Sequence, residues 1–207
     1  IEKRESSSQM FPKKQWGLEA RDNFGASNDI TVFNMAWDND WILQAPYSDK
    51  SLIRNVLAYD MGWDLGQYTP RTKLVEVVLN GDYHGVYVFM EKIKRKDGKV
   101  GTNDLETNDI EGNELTGDYV IKCDKLTAGG VVAWSSPYLP YPGASNQRTF
   151  QCHDPSLDSL NPTQLNYIET YVTDFESALN GPNFSHPTLG YAPYIDMMSF
   201  IDFFLVN

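Results

Sequence analysis

One pattern constrains the fold of this chain more than any other: two apolar arms joined by Asn80-Gly81. The first arm reads LVEVVL and the second reads DYHGVYVFMEKI. Asn-Gly favours the positive φ angles of a type I′ turn, whose twist matches that of paired antiparallel strands. Both arms carry apolar residues on both faces, which is typical of strands that are covered on both sides. The sequence therefore predicts a β-hairpin over residues 74–93, in the centre of a sheet.

Helical periodicity is clearest from Pro162 onward. Apolar residues recur there at alternating steps of three and four, and Asn180-Gly181-Pro182 ends the pattern. An earlier helix is expected after an N-cap at Ser48 or Asp49, because both side chains can accept a hydrogen bond from the first helical turn. The apolar residues of the later helix are Leu165, Ile168, Val172, Phe175 and Leu179.

Shorter strand-like runs lie at residues 15–20, 41–43 and 119–123, and a last helix is expected from residue 194 onward. Strands thus come mainly before helices, which indicates an α+β fold rather than alternating α/β units. Five of the eleven prolines lie between residues 134 and 163, which favours a boundary there. We predict a strand-rich region over residues 1–133, a Pro-rich loop or linker over 134–161 and a helical region over 162–207.

The last predicted helix is almost entirely apolar, since it contains the run MMSFIDFFLV. A helix that is apolar around its whole circumference needs neighbours on every side. Either this helix docks into a core of its own chain or more polypeptide follows Asn207 and packs around it. We prefer the second interpretation and expect the helical region 162–207 to be incomplete.

Charge divides the chain into two unlike halves. The net charge is −11; residues 1–100 hold 14 basic and 14 acidic residues, whereas residues 101–207 hold 3 basic and 14 acidic ones. Binding to nucleic acid is not expected, because the phosphate backbone attracts basic proteins. No apolar run approaches the roughly 20 residues of a membrane span. Cys123 and Cys152 are too few for a disulfide scaffold or a zinc site, and they form either one disulfide or two separate thiols.

The common catalytic and metal-binding motifs are absent from the sequence. It contains no G-x-x-x-x-G-K-[ST], G-x-G-x-x-G, G-x-S-x-G or H-E-x-x-H pattern, and its three histidines stand apart. Asp38 and Asp40 lack the ligand spacing and the glycine of a calcium loop, so we interpret them as part of a solvated turn. The residues alone therefore predict no metal site.

Five segments taken together point to a known family. They are RESSSQMFPKKQWGLEARD (4–22), DWILQAPYSDKSLIRNVLAYDMG (40–62), VEVVLNGDYHGVYVFMEKI (75–93), LTGDYVIKCDK (115–125) and FIDFFLVN (200–207). In order, spacing and residues these segments resemble the CotH kinase family, named for spore coat protein H. The resemblance is good over residues 4–125, faint over 126–193, and returns at the end.

The resemblance implies an atypical protein kinase that transfers phosphate from ATP to protein Ser or Thr. It also implies a strand-rich N-lobe followed by the first helices of a C-lobe. The family's Mg²⁺-binding and catalytic aspartates lie after the helix that resembles FIDFFLVN, so we expect the metal ligands downstream of Asn207. Phosphoryl transfer depends on positioning and on neutralising phosphate charge. A chain without those carboxylates is expected to be inactive alone.

The resemblance also suggests which residues contact the nucleotide. Lys13 and Lys14 open a strand from which a lysine can reach phosphates as a point charge. We choose Lys14 as the catalytic lysine and Lys13 as a cofactor-binding residue; the alternative is a surface lysine pair. Glu91, at the end of the second hairpin arm, is the second catalytic candidate because it could order Lys14, or it forms a plain salt bridge.

Two further cofactor-binding candidates lie on later elements. Arg54, on the early helix, either binds phosphate or fixes the helix by pairing with Asp49 or Glu91. Tyr119 lies where the resemblance suggests the strand that connects the lobes, so its ring either stacks on adenine or belongs to the core.

A non-catalytic alternative uses the same fold. The chain would then be a surface, coat or extracellular protein that binds a partner through its acidic half or through its Pro- and Tyr-rich loop at residues 137–143. The expected partner is a protein substrate in the first case and a coat or surface protein in the second. The resemblance and the acidic composition lead us to expect an extracellular or cell-surface location, with the spore coat as the alternative.

Overall fold

Strands and helices occur together in this chain, which has an α+β fold. The computed structural model describes residues 1–4, 7–100, 105–117, 119–124, 133–156 and 159–206. Within these ranges the strands are β1 (Glu2–Lys3), β2 (Trp16–Glu19), β3 (Asp40–Gln44), β4 (Thr72–Leu79), β5 (Asp82–Glu91), β6 (Val120–Cys123), β7 (Ala133–Ser135) and β8 (Thr149–Asp154). The α-helices are α1 (Arg54–Asp64), α2 (Gly112–Leu115), α3 (Pro162–Asn180) and α4 (Met197–Val206).

The chain divides into two compact units, which are Ile1–Ile93 with Ile201–Asn207, and Lys94–Phe200. The first unit contains a five-stranded antiparallel sheet in the order β1-β2-β3-β5-β4. The second unit contains a three-stranded antiparallel sheet in the order β6-β8-β7. The predicted boundary at residues 134–161 lies within the second unit.

The predicted hairpin is confirmed as β4 and β5, which pair from Thr72 opposite Met90 to Leu79 opposite Asp82. Its turn has φ of 53° at Asn80 and 90° at Gly81. Both values are positive, as a type I′ turn requires. The prediction of a central position holds for β5 only, because β4 is the edge strand of the sheet. An apolar pattern shows that a strand needs cover, but it does not specify which strand lies beside it.

One core cluster of the first unit lies on one face of the five-stranded sheet, and Val88 and Met90 of β5 are buried on the other face. Residues that pair directly across two strands share a face of the sheet. Leu43 of β3 pairs with Phe89 of β5, and Val75 of β4 pairs with Tyr87 of β5. Leu43, Phe89 and Tyr87 are buried members of the cluster, and Val75 packs against it. Tyr87 is fully buried there. The buried members of this cluster are Met35, Trp41, Leu43, Ala45, Tyr87 and Phe89.

The Pro-rich stretch at residues 134–161 is not only the loop or linker that the sequence predicts. It contains most of β7 and all of β8. Phe150 and Cys152 lie two positions apart on β8, so their side chains share one face of the strand. Both pack with Trp134 in the core of the second unit. The prolines at 137, 140 and 142 lie in the connection between the two strands. The prolines of this connection made the whole stretch resemble a loop, so the sequence did not predict β7 and β8.

Helix α3 begins and ends as predicted. The Asn161 side chain accepts a hydrogen bond from the Gln164 N–H at 2.9 Å, and the Gln164 side chain accepts one from the Asn161 N–H at 3.0 Å. This reciprocal pair is a capping box, and Pro162 occupies the first helical position beside it. Ile168 and Val172 are buried against the second sheet's core. Because all of these signals are local, the sequence predicts this helix well.

Helix α1 begins later than expected, at Arg54. Leu52, just before it, has a φ of 65°, which is left-handed and interrupts helical geometry. Asp49 still serves the helix, since one carboxylate oxygen accepts the Arg54 N–H at 3.0 Å. The N-cap is Ile53, whose side chain makes no capping hydrogen bond, so the prediction of Ser48 or Asp49 as the N-cap is wrong, as is the predicted start of the helix.

Helix α4 confirms the predicted apolar helix over part of its expected length, because it begins at Met197 rather than at residue 194. No described residue of this helix is buried. Phe203 and Phe204 are 62% and 78% exposed. Asp202 accepts a hydrogen bond from the Gln67 side chain at 2.9 Å. Among the described residues, no helix is both long enough and apolar enough to cross a membrane.

Candidate functional site

Lys13 crosses from the segment before β2 to the middle of β5. Its Nζ donates a hydrogen bond to the Val86 carbonyl and lies 4.5 Å from the centroid of the Tyr87 ring. Gly85 lies beside the amine with a φ of 82°, a conformation that favours glycine, and a Cβ there would meet Nζ at an ordinary contact distance of 3.5 Å. Partial burial lowers the pKa of Lys13. The sheet thus holds a partly desolvated amine against an aromatic face.

Lys14 extends in a different direction. Its Nζ donates to the backbone carbonyls of Gln9 and Phe11, at 2.5 and 2.7 Å. Both acceptors lie within five residues of Lys14 along the chain, so this side chain closes a local turn. The choice of Lys14 as the catalytic lysine stays a prediction, whereas the lysine with a long-range contact to the sheet is Lys13.

Glu91 ends β5 in a fully buried position. The Arg71 guanidinium binds both carboxylate oxygens, through Nε at 3.1 Å and Nη2 at 3.1 Å. The backbone N–H groups of Ala36 and Arg71 each donate to the same carboxylate at 3.0 Å. Arg71, rather than Lys14, is therefore the basic partner of Glu91 in the described residues. The arrangement orders the carboxylate firmly, because a forked guanidinium fixes both oxygens.

Sequence reasoning missed Arg71 and misjudged the residues near it. Asp38 is fully buried rather than part of a solvated turn, and it accepts the Asn39 N–H at 2.7 Å. Tyr68 has a buried hydroxyl with no hydrogen-bond partner among the described residues. Burial and the negative charge of Glu91 raise the pKa of Tyr68. The only signal for Arg71 is a basic residue that directly precedes a strand, and many surface residues share that feature.

Arg54 has one ion pair in the described residues, from Nε to Asp49 Oδ1 at 3.5 Å. Its side chain is 82% exposed, so this pair contributes little to stability. Hydrogen bonds from the Arg54 N–H and the Ser51 hydroxyl lower the pKa of Asp49. Of the two carboxylates considered from the sequence, Asp49 is the partner that the structure places beside Arg54.

Tyr119 lies in the second unit, directly before β6. Its hydroxyl donates to the Leu115 carbonyl at 2.9 Å, and its ring centroid lies 6.0 Å from that of Tyr167. Burial, with smaller contributions from neighbouring groups, raises the pKa of Tyr119 to about 12. Tyr119 packs against the core of this unit and also lines a cavity, so both interpretations from the sequence fit its position.

No group of three or more His, Cys, Asp or Glu side chains within the described ranges is arranged to hold a metal ion. Cys123 and Cys152 are both free thiols, the first exposed and the second buried. This answers the question that the sequence left open, since the two cysteines form no disulfide with each other. Burial raises the pKa of Cys152 to about 11.

These features describe an α+β protein whose first sheet holds a partly desolvated lysine, Lys13, beside Gly85. The model of one protein family, described as CotH kinase protein, matches residues 1–207, which is the whole chain. The chain therefore belongs to the CotH kinase family, and the resemblance drawn from its five segments is confirmed. No curated protein matches the chain.

Proposed function

We propose that the protein is a CotH-like atypical protein kinase, which uses ATP to phosphorylate Ser or Thr of a protein substrate. The observation that carries the proposal is the family match over residues 1–207. The order of elements supports it, because the five-stranded sheet comes largely before the long helix α3, as in an N-lobe followed by a C-lobe.

The phosphate-binding lysine of this proposal is one of the adjacent pair at the start of β2. Sequence resemblance led to Lys14, but the contacts favour Lys13. Lys13 reaches the sheet and is partly desolvated, whereas Lys14 is engaged by carbonyls of its own turn. An anionic phosphate beside Nζ would accept a further hydrogen bond from the amine, which has three donors. It would also favour the charged amine and offset the cost of burial.

Glu91 has a positioning role in this proposal. Its carboxylate is saturated by Arg71 and by two backbone N–H groups, so it holds the end of β5 rather than contacting the nucleotide. Arg54 keeps a largely exposed guanidinium that can bind a phosphate group. Tyr119, in the second unit, stays a prediction from the resemblance, in which its ring would stack on adenine.

In the proposed reaction Mg²⁺ would neutralise the phosphate charge of ATP. The described residues offer no cluster that would hold it, so no catalytic step is assigned to the metal here. The partner is a protein substrate, and the family favours a location in the spore coat. An extracellular or cell-surface location away from the coat is the second possibility. A non-catalytic coat protein that binds a partner is the competing function.

Calorimetric titration with ATP, in the presence of Mg²⁺ and then of Mn²⁺, tests the proposal. Lys13→Ala is expected to weaken ATP binding by about tenfold or more, because the phosphates lose a charged hydrogen-bond donor. Lys14→Ala is the matched control, since it removes the same charge one residue away. Its affinity is expected to stay within about twofold of the unaltered protein.

The outcomes separate the competing assignments. If only Lys14→Ala weakens ATP binding, the phosphate-binding lysine is Lys14, as the sequence resemblance suggested. An unaltered protein that binds no ATP with either metal ion, while it still binds a coat protein, would favour the non-catalytic function.

A further inference from the structure

The second unit contains a cavity of about 580 Å³. Helix α3 supplies one wall and strands β6 and β8 contribute to another. This volume is in the range of sites that bind small molecules. Seven of the seventeen residues that line the cavity are aromatic, among them Tyr119, Tyr138, Phe150, Tyr171, Phe175 and Tyr194.

One carboxylate interrupts this aromatic lining. Glu176, on α3, is only 5% exposed and lines the cavity. Its Oε1 accepts a hydrogen bond from the Ser136 hydroxyl at 2.8 Å, and Ser136 is itself 1% exposed. Its Oε2 is buried and has no hydrogen-bond partner among the described residues. The part of the protein that the structure describes therefore provides no donor for one buried oxygen of a carboxylate side chain that lines the cavity.

The missing donor matters because a buried carboxylate without full pairing is costly. Ser136 has one hydroxyl proton, so it cannot satisfy both oxygens of Glu176. Arg148 is the basic residue in the cavity lining, but its Nη2 donates to the Pro140 carbonyl at 3.3 Å. Arg148 is exposed, and no ion pair between it and Glu176 occurs in the described part of the chain. A cationic donor from outside the unit would complete the site.

The aromatic walls indicate what carries that donor. Aromatic faces attract organic cations and also bury an apolar body. The acidic half of the chain, with 3 basic and 14 acidic residues over 101–207, favours cations over anions in the same region. We propose that this cavity binds a small organic ammonium ion, an amine on an aromatic or aliphatic body, whose charge pairs with the Glu176 carboxylate. The inference does not rest on the proposed kinase activity.

Three probes of one shape test the charge requirement on the unaltered protein. They are 2-phenylethylamine, the neutral 2-phenylethanol and the anionic 3-phenylpropionate, each titrated by calorimetry or by ligand-observed NMR. The amine is expected to bind at least about tenfold more tightly than the alcohol, and the anion more weakly still. Equal binding of amine and alcohol, or no binding of the amine up to about 10 mM, would overturn the proposal.

A pair of variants on α3 tests the role of the carboxylate. Glu176→Gln keeps an oxygen acceptor for Ser136 and removes the charge, so amine binding is expected to fall by about tenfold or more. Asp174→Asn removes the same charge from an exposed position two residues away, and amine binding is expected to stay unchanged. If both variants lose the same amine affinity, the negative charge of the helix attracts the amine non-specifically. The proposed site at Glu176 would then be wrong.

A competition experiment separates this site from the proposed nucleotide site. Tyr119 lines the cavity and is also a candidate adenine contact, so AMP is added to the protein saturated with amine. The amine is expected to remain bound, and that result would count against Tyr119 as an adenine contact. Displacement by AMP would mean that the cavity accepts adenine, and the amine proposal would then be wrong. Failure of ATP binding in the Lys13 experiment leaves the amine result unaffected.

Discussion

Glu91→Gln changes one oxygen of a fully buried carboxylate into an amide NH2 group. In the native arrangement each oxygen accepts one backbone N–H, from Ala36 or from Arg71, at 3.0 Å. Each oxygen also faces one nitrogen of the Arg71 guanidinium, at 3.1 Å. Whichever way the new amide turns, its NH2 meets a backbone N–H and a guanidinium nitrogen, so that donor faces donor.

The cost follows from which groups lose a partner. A buried backbone N–H without an acceptor costs about 1–3 kcal/mol. Breaking a buried ion pair by removing one partner costs about 3–5 kcal/mol. The Arg71 side chain is 31% exposed, so water can solvate part of its unpaired charge and reduce that cost. We therefore expect Glu91→Gln to lower the free energy of unfolding by about 2–4 kcal/mol.

Urea-induced unfolding measures this difference, provided that the slope of free energy against urea concentration stays constant. Glu76→Gln on the neighbouring strand β4 is the control, since it removes the same charge from an exposed side chain. Its free energy of unfolding is expected to change by less than about 0.5 kcal/mol. If Glu91→Gln is as stable as the control, the four hydrogen bonds do not order the end of β5 as argued.

Three further outcomes are expected. Asn161→Ala removes the capping box of α3 and should lower stability by about 1 kcal/mol in urea unfolding, and an unchanged midpoint would contradict the cap. Gly81→Ala forces a side chain into a turn with φ of 90° and should cost about 1–2 kcal/mol, with full retention of stability as the contrary result. With a disulfide reagent at pH 8, Cys123 should react much faster than Cys152, because burial raises the pKa of Cys152 to about 11 and keeps it a thiol below that pH. Equal rates in the folded protein would contradict this difference.

Features defined by neighbouring residues could be predicted from the sequence. The Asn80-Gly81 turn and the α3 cap each involve residues within a few positions of one another, and both occur where the sequence placed them. The order of strands could not be obtained in this way. Whether β4 lies at the edge or in the interior depends on which other strand pairs with β5, and that partner, β3, lies about 40 residues away along the chain.

In the candidate site, too, local features could be predicted from the sequence, whereas contacts between distant residues could not. The sequence identified the adjacent lysine pair and Glu91, because each stands at a strand end within a recognisable segment. The resemblance led to the choice of Lys14 as the catalytic lysine, but neighbouring residues before a strand project in different directions, and only the fold shows what each one contacts. Arg71 was missed for a related reason: its partner Glu91 lies 20 residues away, and the pairing exists only because β4 lies beside β5.

Taken together, the contacts assign different tasks to residues that the sequence groups as one nucleotide site. Glu91 already has every acceptor position occupied, so it stabilises the strand end without spare capacity for a ligand. Among the described residues Lys13 has one carbonyl acceptor and faces one aromatic ring, and an ammonium group with three donors can bind a further anionic partner. Unused hydrogen-bonding capacity on a partly desolvated group is what distinguishes a binding residue from a structural one. By this criterion Lys13 in the first unit and Glu176 in the second are the side chains whose substitution should alter ligand binding more than stability.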